Sequence, residues 1–405
     1  MTHQTDAAPG TESAPLGISL TPTLTAPTTT RLRVLYLMEG FAGGGAERRF
    51  VRMAGALNRE RFALSVGALA LGGPLEDAMR ATGTLILPFV RRGRFDLGPV
   101  ARLRRYLRAE RIDVVHAMHW LSGVFAVLAA TGLPRVAVVG STVNRVYDTS
   151  RAGCARLALD HLLWRRMDQM TVNSTALRDY LLARGFPAQK LTTVFNGVEL
   201  PDASRLTPET RLAARALLAI PPDAPLVGIV ARLHPQKDHV TFLRAAAMVR
   251  QQVPEARFAV VGDGPERAAL AALAAELGVA DAVRFAGHLA SGDLALPAFD
   301  VAVLCSRHEG MPNALLEAGA WGLPAVATPV PGVDDVLLEG RTGLLAPIGD
   351  AQALAERTVE LLRDPARARQ MGAAARAHIA AHFTVERMVR EYERVYVAAS
   401  HQRAE

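Results

Sequence analysis

Residues 306–324 read Ser306-Arg-His-Glu-Gly-Met-Pro-Asn-Ala-Leu-Leu-Glu-Ala-Gly-Ala-Trp-Gly-Leu-Pro324. An apolar strand, Val301 to Leu304, feeds this stretch, and another apolar segment follows at Ala325. Between them lie a Gly/Pro turn and a helix. Glu309 and Glu317 stand eight positions apart, one in the loop and one about a turn inside the helix. Asn313 is the expected N-cap, which would leave the backbone N–H groups of the first helical turn free to bind an anion. The stretch thus offers two hydroxyl acceptors beside an anion cradle.

Working outward, continuous apolar strands alternate with helices. The first half reads as strands at Arg33–Met38, Ala63–Ala68, Leu85–Leu87, Val114–His116, Val136–Gly140, Gln169–Val172 and Leu191–Val194. The pattern restarts after Pro221-Pro222-Asp223-Ala224-Pro225, with strands at Leu226–Val230, Arg257–Val261, Val283–Phe285, Val301–Leu304 and Ala325–Ala327. Apolar strands separated by helices indicate parallel α/β sheets. The 405 residues suit two such domains, joined near residues 198–224. In doubly wound sheets ligands bind beyond the carboxyl ends of the strands, and every candidate motif here follows a strand.

Glu309 and Glu317 in this setting resemble the E-x7-E element of the retaining glycosyltransferases of family 4, which have the GT-B fold of two Rossmann-like domains facing a cleft. The resemblance runs from about Arg31 to about Val397 and is best from Gly262 to Ala346. It implies an acceptor-side domain over 31–200, a nucleotide-sugar domain over 201–384, and a last helix within 385–405 that crosses back to the first. Glu309, Gly310, Met311, Pro312, Asn313 and Glu317 would then hold the donor, Glu317 at the ribose and Glu309 at the sugar hydroxyls.

The remaining motifs fit around that element. Arg232 and Lys237 follow the strand Leu226–Val230, and Lys237 is one of two lysines among 46 basic residues. A compact ammonium sits between phosphate oxygens while a guanidinium forks across them. The resemblance puts both on the donor diphosphate, where they would offset charge on the leaving nucleotide. No Asp-x-Asp pair is present to hold a divalent metal, so no metal or other cofactor is expected. Gly43-Gly44-Gly45-Ala46-Glu47 opens a helix after the first strand. Arg48 stands where the dinucleotide fingerprint needs its last Gly, which argues against a dehydrogenase. Gly44 and Gly45 resemble the loop over the phosphates, and Gly262 and Gly264 the nucleotide-side loop. His288 falls in a segment that resembles the one touching the base. Val330-Pro331-Gly332-Val333 resembles a paired-glycine loop with one Gly replaced by Pro, which removes an N–H donor.

His116-Ala-Met-His119 departs from the family's usual H-x-H. Met118 takes the second position and His119 comes one later. Either His119 or His116 serves the acceptor side, or both are structural.

Charge is unevenly spread. Residues 31–200 hold 25 Arg plus Lys against 13 Asp plus Glu, while 201–405 hold 21 against 24. Coding bias explains Arg over Lys but not this placement. A helix over Pro99–Glu110 carries Arg102, Arg104, Arg105 and Arg108, with Arg91, Arg92 and Arg94 before it and Arg165 and Arg166 elsewhere in the domain. Such a surface would attract an anionic membrane or acceptor. Nucleic acid is not an expected partner. Residues 1–30 have no Lys or Arg and no apolar block, so they read as a disordered tail rather than a secretory signal. No uncharged apolar stretch reaches the roughly 18–20 residues of a membrane span. Of two cysteines, Cys154 and Cys305, the second falls at a buried strand end, which argues against a disulfide framework and fits a reducing compartment.

The implied activity is transfer of a hexose from a nucleoside diphosphate sugar, UDP-sugar favoured, to a glycan or lipid-linked acceptor in cell-surface polysaccharide or glycolipid synthesis. A cytoplasmic site is expected, peripheral on the inner face of the membrane. The alternatives are a GT-B epimerase or hydrolase acting on the nucleotide sugar, and a non-catalytic scaffold that binds it. Acceptor choice is expected in the loops Phe89–Leu97 and Val143–Cys154.

Overall fold

A computed structural model describes residues 31–93, 96–142 and 162–403. The expected tail 1–30, Arg94 and the loop Val143–Cys154 lie outside the described residues.

The first sheet contains β1 (Leu32–Met38), β2 (Phe62–Ala68), β3 (Leu85–Pro88), β4 (Val114–Met118), β5 (Ala137–Thr142), β6 (Gln169–Val172) and β7 (Leu191–Thr193). Its order is β3-β2-β1-β4-β5-β6-β7, parallel throughout. The second contains β8 (Leu226–Val230), β9 (Arg257–Val261), β10 (Val283–Gly287), β11 (Val301–Leu304), β12 (Ala325–Ala327) and β13 (Gly343–Leu345). Its order, β10-β9-β8-β11-β12-β13, repeats the same winding, again parallel. The sequence reading lacked β13, whose three residues follow the turn at Gly340.

Alternation along a strand assigns side chains to faces. In β1, Leu35 and Leu37 enter one core and Val34, Tyr36 and Met38 the other. Both faces are apolar because helices cover both, which is why the strands read as continuous apolar runs. The last helix, Val385–His401, covers the second face: Val385, Met388, Val389, Tyr392, Val395 and Tyr396 join the core of Val34 and Tyr36.

The chain therefore passes between sheets twice, and the two passages touch. Val198 N–H donates to the Phe383 carbonyl at 2.8 Å. Gly197 sits so close to Val385 that a Cβ there would lie 2.7 Å from its Cα. Any side chain at 197 would force the crossovers apart.

The basic helix spans Gly98–Ala109 and buries Pro99, Leu103 and Leu107. Its arginines divide in role. Arg102 donates to the Val90 carbonyl at 2.8 Å. Arg104 donates to the carbonyls of Ala129 and Thr131, at the end of the helix His119–Ala130, where a cation also opposes the helix dipole. Arg105 and Arg108 are exposed and have no hydrogen-bonding or ionic partner among the described residues. Among the described residues no helix is long and apolar enough to cross a membrane.

Candidate active site

In each sheet the winding reverses beside the first strand, between β1 and β4 and between β8 and β11. Loops leaving the carboxyl ends of those four strands diverge and leave a crevice. The glycine loop follows β1 and His119 follows β4. Arg232 and Lys237 follow β8, and the stretch from Ser306 to Asn313 follows β11.

On the second domain, Lys237 ends a short 3-10 turn, Pro235–Lys237. Asp238 then takes a left-handed conformation, φ 50°, and caps the helix His239–Gln252. The buried Cys305 thiol donates to the carbonyls of Lys237 and Asp238, each at 3.2 Å. Burial and the nearby Asp238 carboxylate push that thiol up to about 12, so it stays protonated and acts as a donor. The Lys237 ammonium, 17% exposed, donates to Glu309 Oε1. Ser306 Oγ donates to the same oxygen at 2.7 Å. Glu309 is thus held beside a cation at the loop's apex. Arg232 is exposed and has no hydrogen-bonding or ionic partner among the described residues.

The helix beyond the loop is Asn313–Ala320. One expectation is corrected here. Pro312, not Asn313, is the N-cap, and no side chain caps the helix. The Pro312 carbonyl accepts from Leu315 N–H at 3.1 Å, so the helix starts one residue earlier in its bonding. The Asn313 side chain cannot fold back because its Oδ1 accepts from Asn196 Nδ2 at 2.8 Å. The anion-binding character of the terminus survives, since the first N–H groups still lack intrahelical acceptors. Glu317 lies one turn on. Burial raises its carboxyl above the usual carboxylate range, against the opposing charges of Arg52 and Arg48.

The glycines around the site differ in role. Gly262, at φ 138°, packs against the Ala231 carbonyl, where a Cβ would sit at 2.0 Å. Gly264 packs likewise on the Leu233 carbonyl. Both press the turn after β9 onto the Arg232 loop. Gly310 and Met311 are buried under the Glu309 loop, and His288 is exposed just past β10.

On the first domain, the helix Gly45–Ala56 is capped by Gly44 and carries Glu47 in its first turn. Glu47 Oε1 lies 3.8 Å from His119 Nε2. Burial would raise the Glu47 carboxyl, but the His119 contact, its own N–H and the Arg232 charge across the cleft outweigh it, and the group is held below its ordinary value. His119 starts its helix at φ 71°, a conformation that costs a non-glycine residue about 1–3 kcal/mol. Glu39 helps to hold that turn by accepting the Leu121 N–H at 3.0 Å.

His116 is corrected as an acceptor-side candidate. It is fully buried, Nδ1 bonds Tyr396 Oη and Nε2 bonds Ser141 Oγ, both at 2.7 Å. Burial and the Arg49 charge hold its pKa well below the ordinary value, so it is neutral. Residues 116 and 118 share a face of β4, and that face is roofed by the Val385–His401 helix. His119 instead lies past the strand end, partly exposed and beside Glu47.

Two helix starts meet across the cleft. A Cβ on Gly45 would lie 2.6 Å from Asn313 Nδ2. His119, heading a third helix, is in reach of Glu47. Glu47, in the first turn of the Gly45 helix, feels the Arg232 charge, and Lys237 pairs with Glu309 in the loop that leads into the Asn313 helix. These helix starts and the two cations therefore belong to facing loops, a setting for a multiply charged anion. Sequence reasoning missed Glu47, Arg49, Arg52 and Asn196. Three of the four sit on the helix that follows the glycine loop, which was the available signal.

A family model described as Glycosyltransferase Family 4 matches residues 43–201, and one described as Glycosyl transferases group 1 matches residues 211–378. A D-inositol 3-phosphate glycosyltransferase from Streptomyces scabiei is 34% identical over 316 residues, covering 73% of this chain and 70% of the relative. The chain belongs to glycosyltransferase family 4. A second family relative, the lipopolysaccharide core biosynthesis glycosyltransferase LpsE of Rhizobium meliloti, is 29% identical over 79% of this chain and 86% of its own length. HepE of Anabaena, solved in complex with UDP and glucose, superposes with a TM-score of 0.77 at 22% identity, covering 90% of this chain and 99% of its own. The fold is GT-B, and the molecule is a glycosyltransferase.

Proposed function

We propose that this glycosyltransferase moves a hexose from a nucleoside diphosphate sugar, a UDP-sugar first among candidates, to a glycan or lipid-linked acceptor, with retention and without a metal. The observation that carries the reading is the meeting of helix starts from both domains beside Arg232 and Lys237, with Glu309 and Glu317 flanking. In this reading the helix start at Asn313 and the two cations hold the diphosphate and stabilise the charge that develops as the glycosidic oxygen leaves. Glu317 accepts the ribose hydroxyls and Glu309 the sugar hydroxyls. His119, with Glu47 beside it, faces the acceptor. The departing phosphate takes the acceptor proton on the face from which it leaves, so configuration is kept.

Support comes from HepE, solved with UDP and glucose, and from relatives named for inositol phosphate and for lipopolysaccharide core. The exposed Arg105 and Arg108 support a peripheral hold on an anionic membrane.

The test begins with thermal shifts over UDP-, GDP- and ADP-hexoses, because a ligand of the native state raises the midpoint. A donor that shifts it is then offered with inositol phosphates and lipid-linked oligosaccharides, with and without chelator. Product with the donor's anomeric configuration, formed equally in chelator, is expected. No shift with any donor, an inverted product, or activity lost to chelator and restored by Mn²⁺ refutes the corresponding part.

A further inference from the structure

Arg49 is a buried cation without a counter-ion among the described residues. It is 2% exposed, and its Nε and Nη2 have no hydrogen-bond partner among the described residues. Its guanidinium lies 5.5 Å from the Phe50 ring centroid and 5.7 Å from that of Tyr392. Among the described residues no carboxylate pairs with it. Burying such a charge costs stability, and a Met or Leu would fill the space more favourably. The fold keeps it, and its one hydrogen bond leads toward the donor site.

That bond runs from Arg49 Nη1 to Asn196 Oδ1 at 3.4 Å. A guanidinium can only donate, so Asn196 must turn its oxygen to Arg49. Its NH₂ group then faces Asn313, and donates to Asn313 Oδ1 at 2.8 Å. Asn313 in turn is left with its own NH₂ free. That group lies against Gly45, at the point where the two helix starts meet, and has no acceptor among the described residues. An amide can normally be flipped without changing its shape. Here the polarity of both amides follows from one arginine, and each link strengthens the next as a donor.

We propose that Arg49 is a positioning residue for the donor: through Asn196 it fixes the Asn313 amide so that its NH₂, not its oxygen, meets the phosphates of a nucleoside diphosphate. The inference rests on the donor reading above and adds to it a residue of the opposite domain. It also explains why position 196 is Asn. An Asp would neutralise Arg49 but could not donate to Asn313.

The test is calorimetric binding of UDP and of uridine to wild type, Arg49→Met, Arg49→Lys and Asn196→Asp, with melting curves. Losing one oriented donor to a phosphate should weaken UDP about tenfold in Arg49→Met and in Asn196→Asp, with uridine unchanged within about twofold. Arg49→Lys, which still only donates, should restore UDP binding to within about threefold. Asn196→Asp should melt no lower than wild type, because the new carboxylate pairs the buried cation, so it decides the matter if Arg49→Met folds poorly. UDP binding like wild type in Asn196→Asp, or a parallel loss of uridine, overturns the role of Arg49. If wild type binds neither UDP nor, in its place, GDP or ADP, the donor reading falls and takes this inference with it. If wild type binds and the variants match it, only this inference falls.

Discussion

Arg52 Nη2 lies 3.4 Å from Glu317 Oε1, an ion pair between helices of opposite domains. Arg52 Nη1 also donates to the Gly197 carbonyl at 3.3 Å, at the crossover. Glu317 is therefore tied both to the partner domain and to the passage between domains. Under the donor reading a ribose would compete for this carboxylate. Glu317→Gln should raise the donor KM about tenfold and change kcat little, since a ribose contact exists in ground and transition states alike. A fall in kcat at unchanged KM would move Glu317 to the reacting centre.

The same residue gives a pH signature. Its carboxyl is raised by burial, so between the ordinary carboxylate pKa and the raised one the folded state holds a proton that the unfolded state has released. The stability this group contributes is present below the ordinary value and is lost as pH rises through the raised one. The melting point of wild type minus that of Glu317→Gln should therefore fall with rising pH across the window. A difference that grows there would contradict the assignment.

Lys237→Ala and Arg232→Ala should each lower kcat/KM by roughly tenfold or more, from about 1.5–3 kcal/mol of lost transition-state stabilisation. Their effects on the fold should differ. Arg232 is exposed, so its variant should melt like wild type. Lys237→Ala leaves the Glu309 carboxylate, 10% exposed, with Ser306 as its remaining partner and should melt lower. Wild-type kinetics in both variants would take them out of the site.

The two histidines should separate cleanly. His116→Ala should cost about 2–4 kcal/mol in denaturant melts, from a buried cavity and the loss of its hydrogen bonds to Tyr396 and Ser141. His119→Gly should do the reverse. Glycine accepts φ 71° without strain, so folding should hold or improve while transfer is lost and UDP still binds. A His119→Gly enzyme that transfers at the wild-type rate would remove His119 from the acceptor side.

The membrane proposal now rests on particular arginines. Sedimentation with anionic vesicles at low salt should carry the protein down, and Arg105→Gln with Arg108→Gln should weaken this by about 1 kcal/mol per cation. Arg104→Gln should instead lower the melting point, because its guanidinium holds the carbonyls at the end of the His119–Ala130 helix. Equal recovery in the supernatant with anionic and neutral vesicles would end the proposal.

Most of the fold was legible along the chain. A strand buried on both faces reads as a near-continuous apolar run, so β8, β11 and β12 could be read to their ends from composition alone. The short β13, Gly343-Leu344-Leu345, could not, because it opens on a glycine close behind the turn at Gly340 and adds only two large apolar residues. The loops that carry the candidate residues were legible too, since Gly44, Gly45, Lys237, Glu309 and Glu317 all come after strand ends, where doubly wound sheets bind their ligands.

What needed the tertiary structure was which side chains meet across the two domains. Local spacing cannot say that Met118 shares the roofed face of β4 with His116, because the roof is a helix some 270 residues later. Nor can it say that Asn313 faces Asn196 rather than its own helix, or that Arg52 finds Glu317. Two parallel α/β units and the loops at their strand ends followed from the chain alone, because periodicity and turn residues act over a few positions. The partners of Arg49, Asn196, Asn313 and Glu317 were decided by the crossover at Gly197 and Val385, where close backbone packing sets how the two domains face each other.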